Sequence, residues 1–161
     1  MHHLYLENLQ KIESLIGYKF KNPLLLSQAL THSSYANENA VSSNERMEFL
    51  GDVVIGFVVS DYLYSISPEL DEAEMSQIRA ELVNKKSLSF FSRSIELGRF
   101  LFLGKGEKLN GGQDKDSILA DAIEALTAAI YLDGGLEPAK KFLMRYISEK
   151  RVETAIKGKM D

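Results

Sequence analysis

A chain of 161 residues with 45% hydrophobic content is long enough for one domain with a real core. The absence of cysteine excludes a disulfide framework and thiol chemistry, and a formal net charge of −4 argues against a general nucleic-acid-binding surface. No apolar run approaches about 18 uncharged residues and the N-terminus lacks a signal-peptide pattern, so a cytoplasmic protein without membrane association is expected.

Helical periodicity runs from Leu4 to Ile16 and stops at Gly17, a C-cap. Asn22-Pro23 has the chemistry of an N-cap followed by a first helical residue, for a short helix to about Leu30. Ser42 stands three residues before Glu45, the spacing of a capping box, and the helix there runs from about Ser43 to Tyr64, stopping before Pro68. Asp71 with Glu74 three residues on starts a helix to about Asn84. The next runs from Ser87 to Leu97 and closes at Gly98. Residues 104–115 predict a long irregular surface connection, with glycines too irregular to cradle a phosphate. A long Ala-rich helix then starts near Asp116 or Ser117 and ends at Gly134-Gly135, and a last helix runs from Pro138 to about Arg151. No strand pattern stands out, so the expected fold is all-α.

Two of these helices carry the chemistry. The run from Met47 to Val59 has no charge besides Glu48 and Asp52, and a helix apolar all round is normally buried. Glu48 and Asp52 are four apart and share a face, with Glu45 one turn earlier. In the segment from Ile118 to Tyr131 the only acids are Asp121 and Glu124, three apart and again neighbours. Ionised carboxylates side by side in apolar surroundings need a cation or a raised pKa. No Lys or Arg lies between Glu48 and Tyr64, so the charge must come from elsewhere. Two such helices could meet as a four-carboxylate cage for a hard cation such as Mg²⁺ or Mn²⁺, and nothing in the set suits zinc. The alternative on spacing alone is that each pair makes salt bridges to basic residues such as Arg46, Arg79 or Arg93.

The segment Asn44-Glu45-Arg46-Met47-Glu48-Phe49-Leu50-Gly51-Asp52-Val53-Val54 resembles the signature of the ribonuclease III family. Residues 17–20, 24–26, 29–35, 75–83 and 117–125 resemble the bacterial members as well, in order, over about residues 9–150. The resemblance implies a double-strand-specific endoribonuclease. Its metal would be held by Glu48, Asp121 and Glu124, with Glu124 also counted among the catalytic acids and Asp52 orienting the nucleophilic water. A divalent ion so held would polarise a phosphate oxygen and lower the pKa of a bound water, giving 5′-phosphate and 3′-hydroxyl ends. It implies too a homodimer with Phe49 packed into the partner, short 3′ overhangs, and roles in rRNA and mRNA processing. Phe49 would otherwise be plain intrachain core. Glu45 and Glu72 are accessory candidates. Glu72 is followed by Ala73 where many relatives have glycine, and Glu45 could serve a dimer seam instead.

Residues 1–150 are expected to form the catalytic domain and 151–161 a linker stub or C-terminal tail, without the double-stranded-RNA-binding domain that bacterial relatives usually carry. Gly51, costly by about 1 kcal/mol inside a helix, points to close approach of another backbone. His32, near a helix end, reads as a hydrogen-bonded structural group. Lys105, Lys108 and Lys115 form one basic cluster. Lys140, Lys141, Arg145, Lys150 and Arg151 form a second, read as a solvated helix face. Two other functions fit paired helical acids. One is an all-α Mg²⁺-dependent nucleoside-triphosphate pyrophosphohydrolase, and the other a non-catalytic RNA-binding relative, which would usually have lost acids that are present here.

Overall fold

The computed structural model describes residues 2–66, 68–147 and 149–160 and is built from helices, with no β-strand among the described residues. Helix α8 (Asp116–Gly134) is the axis of the fold. Its alanines at 120, 122, 125, 128 and 129 are all buried, so neighbouring helices approach closely. It packs against α4 (Glu45–Ile66), α6 (Lys85–Ser94), α9 (Leu136–Met144) and α2 (Pro23–Ala29). The α4–α8 contact is the most intimate. A Cβ on Gly51 would run into the backbone carbonyl of Glu124, so α4 crosses α8 with no side chain between them at that level. The close approach expected at Gly51 is therefore present, and Glu124 is the residue approached.

Two further anchors set the frame. Helix α1 (His2–Ile16) buries Leu9, Ile12 and Ile16 and ends at Gly17, whose φ of 73° is the left-handed conformation glycine adopts without strain. Beyond it the Tyr18 hydroxyl donates to Asp133 at 2.6 Å, and Asp133 also accepts from the backbone N–H groups of Lys21 and Asn22, both at 2.9 Å. Although burial opposes it, these hydrogen bonds hold the Asp133 carboxyl below the usual carboxylate range, while burial and Asp133 push the Tyr18 phenol up to about 12. At the other end Phe91 of α6 stacks on Tyr146 and packs against Phe142 of α9.

Several local expectations need correction. Asn44 begins α4: its carbonyl accepts from Glu48 N–H, and the hydroxyl facing Glu45 N–H is that of Ser43, not Ser42. Helix α5 (Glu72–Val83) starts as expected, with Asp71 accepting from Glu74 N–H, but α6 begins two residues early because Asn84 caps it through Ser87 N–H. Residues 104–115 are not irregular. They hold α7 (Lys105–Leu109) and a 3₁₀ turn at Gly112–Asp114. Helix α3 (Ser33–Asn39), which periodicity does not reveal, sits beside α7. The two are tied by Ser34 Oγ accepting from Gly104 N–H and by Glu38 accepting from Lys105 N–H. The last helix is divided into α9 and α10 (Glu149–Met160). The residues expected as a linker stub thus continue as helix through Met160, with Val152 buried and α10 resting on α5. Ser148 and Asp161, and the side chains of Lys150 and Arg151 from the second basic cluster, lie outside the described residues. Helix α4 is also long and apolar enough to cross a membrane by composition, but it carries Glu45, Glu48, Asp52 and Asp61 and lies along α8.

The Gly51 contact gives a test of opposite sign to helix propensity. Gly51→Ala gains about 1 kcal/mol of intrinsic helix preference, but it forces α4 away from α8 at a cost of about 1–3 kcal/mol or more. The variant is expected to melt below wild type in a thermal unfolding scan, and an unchanged or raised Tm would contradict the close crossing.

Candidate metal centre

The α4–α8 crossing faces two acidic helix surfaces toward each other. Glu45, Glu48 and Asp52 from α4 and Asp121 and Glu124 from α8 line one pocket of about 570 Å³, together with His32, Ser33 and Asn44. Carboxylate oxygens of Glu48, Asp121 and Glu124 all lie within 4.8 Å of one another. Asp52 joins this group through a hydrogen bond shared with Glu124, and Glu48 shares one with Asp121. Pairing therefore runs across the two helices, not along each one as the sequence spacing alone implies. Glu45 stands exposed at the pocket mouth and adds its negative field to Glu48. Glu72, the other accessory candidate, is exposed at the start of α5 and is not part of the pocket within this chain.

Two carboxylates can share a hydrogen bond only if one is protonated, and the pKa values follow. Burial, then Asp121 and the other acids, push Glu48 up to about 7. Burial, then Asp52 and the other acids, push Glu124 up to about 8. Burial also raises Asp121, opposed by its hydrogen bond with Glu48 and by the positive field of Lys85. The salt-bridge alternative fails for all three arginines named for it: Arg46 is exposed and makes no ion pair with these acids, and the other two are engaged elsewhere. Arg93 spans Asp114 at 3.4 Å and Asp116 at 2.8 Å, and Arg79 donates to the Ser60 hydroxyl. Lys115 is held by Glu107 at 2.6 Å. Among the described residues no ion pair reaches Glu48, Asp52, Asp121 or Glu124. A partly buried, oxygen-only donor set with no protein cation fits a hard divalent ion, whose charge would displace the shared protons.

Phe49, one residue from Glu48, is 79% exposed and stands at the pocket's edge, so it is not intrachain core. His32 caps α3, the structural role expected near a helix end, with Nδ1 accepting from Ser34 N–H at 3.2 Å. It also lines the pocket, a placement for which the sequence around residue 32 gives no signal.

A family model described as Ribonuclease-III-like matches residues 22–151. The chain belongs to the ribonuclease III family. It is 51% identical over 149 residues to Ribonuclease 3 of Caldanaerobacter subterraneus subsp. tengcongensis, covering 91% of this chain and 65% of that protein. Ribonuclease 3 of Pseudothermotoga lettingae is 44% identical over 151 residues, covering 90% and 63%. The chain thus spans less than two thirds of the length of these relatives. Among solved structures, a nuclease domain of ribonuclease III from Campylobacter jejuni superimposes with a TM-score of 0.81 at 42% identity, covering 88% of this chain and 94% of that one. A second structure of that domain, concerned with flexibility in a region involved in its dimer formation, gives 0.83 at 43%, covering 89% and 97%. Membership in this family sets aside the pyrophosphohydrolase alternative.

The raised carboxyls predict a pH signature for the ion-free protein. A carboxyl whose folded pKa lies above its unfolded value binds its proton more tightly when folded, so its contribution to stability is present at low pH and is lost as pH rises through the folded pKa. For Glu48 and Glu124 the window runs from about pH 4.5 to about pH 8. Thermal unfolding in chelator should show Tm falling across that window, less so in Glu124→Gln, and a divalent cation added at pH 8 should restore it. Equal pH dependence in wild type and variant would refute the protonated pairing.

Proposed function

We propose that this chain is the catalytic domain of a double-strand-specific endoribonuclease that hydrolyses RNA phosphodiester bonds with Mg²⁺, for which Mn²⁺ can substitute. The observation that carries the proposal is the uncompensated oxygen donor set of Glu48, Asp121 and Glu124, within 4.8 Å in an open pocket. In this reading these three residues hold the cation. Once bound, it supplies charge stabilisation at a phosphate oxygen and makes a water acidic enough to attack near neutral pH. Asp52, exposed and hydrogen-bonded with Glu124, is suited to accept from that water and orient it. Glu124 links this water-orienting acid to the ligand set, so it serves both. No histidine base or covalent intermediate is needed, and the products carry 5′-phosphate and 3′-hydroxyl ends. Structured rRNA and mRNA precursors in the cytoplasm are the natural substrates in this reading. Glu45, at the mouth, is an accessory acid through its field on Glu48.

The active species is a homodimer. Phe49, Val53 and Phe57 recur every four residues along α4 and are 79%, 61% and 55% exposed, with Tyr64 at 77% farther along. A row of large apolar side chains beside an acidic pocket is unfavourable in water and favours a self-complementary two-fold contact. Two sites related by that axis would each cut one strand and leave a short 3′ overhang.

Glu124→Gln tests the chemistry. It keeps size and removes a charged ligand, so cleavage of a labelled RNA duplex with Mg²⁺ should fall by more than about a thousandfold, while Tm in chelator holds or rises. Cleavage at wild-type rate would end the assignment. Assembly has its own readout. Light scattering should give a dimer for wild type and a shift toward monomer for Phe49→Asp, and a wild-type monomer would remove the paired-cut account.

A further inference from the structure

The acid-lined pocket must admit a phosphodiester, itself an anion, yet its side chains are almost all acceptors. Of the side chains lining it only those of His32, Ser33 and Asn44 can donate once the carboxylates are ionised, and Asn44 is buried, with one of its two amide N–H groups bonded to the backbone carbonyl of Ala29 at 3.0 Å. His32 is the long-reaching donor left. Its tautomer is fixed by a chain of bonds from outside the pocket. Gly104 N–H donates to Ser34 Oγ at 2.8 Å, and the same hydroxyl lies 2.8 Å from His32 Nδ1, to which it can give its proton. Ser34 N–H donates to the same Nδ1. With Nδ1 accepting twice, the proton of the neutral ring sits on Nε2. His32 N–H, bonded to the Phe102 carbonyl at 3.0 Å, holds the residue in place at the wall of the pocket.

We propose that His32 is a substrate-contacting residue of this site, its Nε2–H donating to a non-bridging phosphate oxygen of the strand to be cut. The proposal rests on the nuclease reading above. The cap of α3 and the contact with RNA use the two nitrogens of one ring, so they can be separated by substitution. Asn places an amide atom near the position of Nδ1 and is among the best N-caps, but it does not reach the position of Nε2. Gln places an amide nitrogen near Nε2 and gives up the cap.

Thermal unfolding and steady-state cleavage of a labelled RNA duplex at saturating Mg²⁺ are measured for wild type, His32→Asn and His32→Gln. Mn²⁺ affinity is measured by titration without RNA. His32→Asn is expected to melt and to bind Mn²⁺ like wild type while losing about ten- to a hundredfold in kcat/KM, the worth of one hydrogen bond to a charged group. His32→Gln is expected to melt lower yet recover most of that cleavage. If His32→Asn cuts as wild type does, or if lost activity follows lost stability or lost Mn²⁺ affinity across the two variants, the role of His32 is structural and the proposal is overturned. Wild-type protein that leaves duplex RNA uncut overturns the nuclease reading itself, and the His32 contact with it.

Discussion

The bare crossing of α4 and α8 at Gly51 governs everything else. Any side chain at residue 51 would strike the carbonyl of Glu124, so the two backbones meet directly and the residues flanking the contact are brought within carboxylate reach. The alanines of α8 extend the same logic along its length. Small residues on one helix let a second approach, and that approach places Glu48 opposite Asp121 and Asp52 opposite Glu124. Core packing here is therefore what sets the spacing of the donor atoms. A packing change of an ångström on one side is a ligand-geometry change of an ångström on the other.

The electrostatics are arranged to leave that donor set unpaired. Arg93 is engaged with Asp114 and Asp116 and Lys115 with Glu107, while Lys85 acts on Asp121 through its field alone. Without an ion, the site relieves itself by holding protons shared across the helices, at pKa values pushed far above those of free carboxylates. The net charge of −4 counts these groups as ionised, so with a cation bound this face would be less negative than the composition implies.

Much of this was legible in the sequence because it depends on helical periodicity. Glu48 and Asp52, Asp121 and Glu124, the apolar runs around them, the caps at Asn22 and Asp71 and the strain-free turn at Gly17 are all local patterns. What escaped depends on contacts between distant segments. Helices α3 and α7 are short and polar, and they persist because Ser34 and Glu38 bond the backbone at Gly104 and Lys105, about seventy positions away. Val152 makes α10 part of the core through α5, which no property of residues 151–161 alone announces. The placement of His32 beside the acids, and of Glu72 away from them, follows from tertiary geometry that spacing cannot encode.

The donor set is divided along the chain, Glu48 near the first third and Asp121 with Glu124 in the last, with α5, α6 and the α7 segment between them. A chain leaving the ribosome presents α4 long before α8 exists to meet it. Until then Glu48 and Asp52 have no partners across a crossing, and the apolar faces of α4 lack the surface that covers them. Ion binding must therefore wait until residues 116–134 have been made and packed. A nascent chain still attached to its own messenger carries half a site, and competence arrives in one step, when the second acidic helix docks.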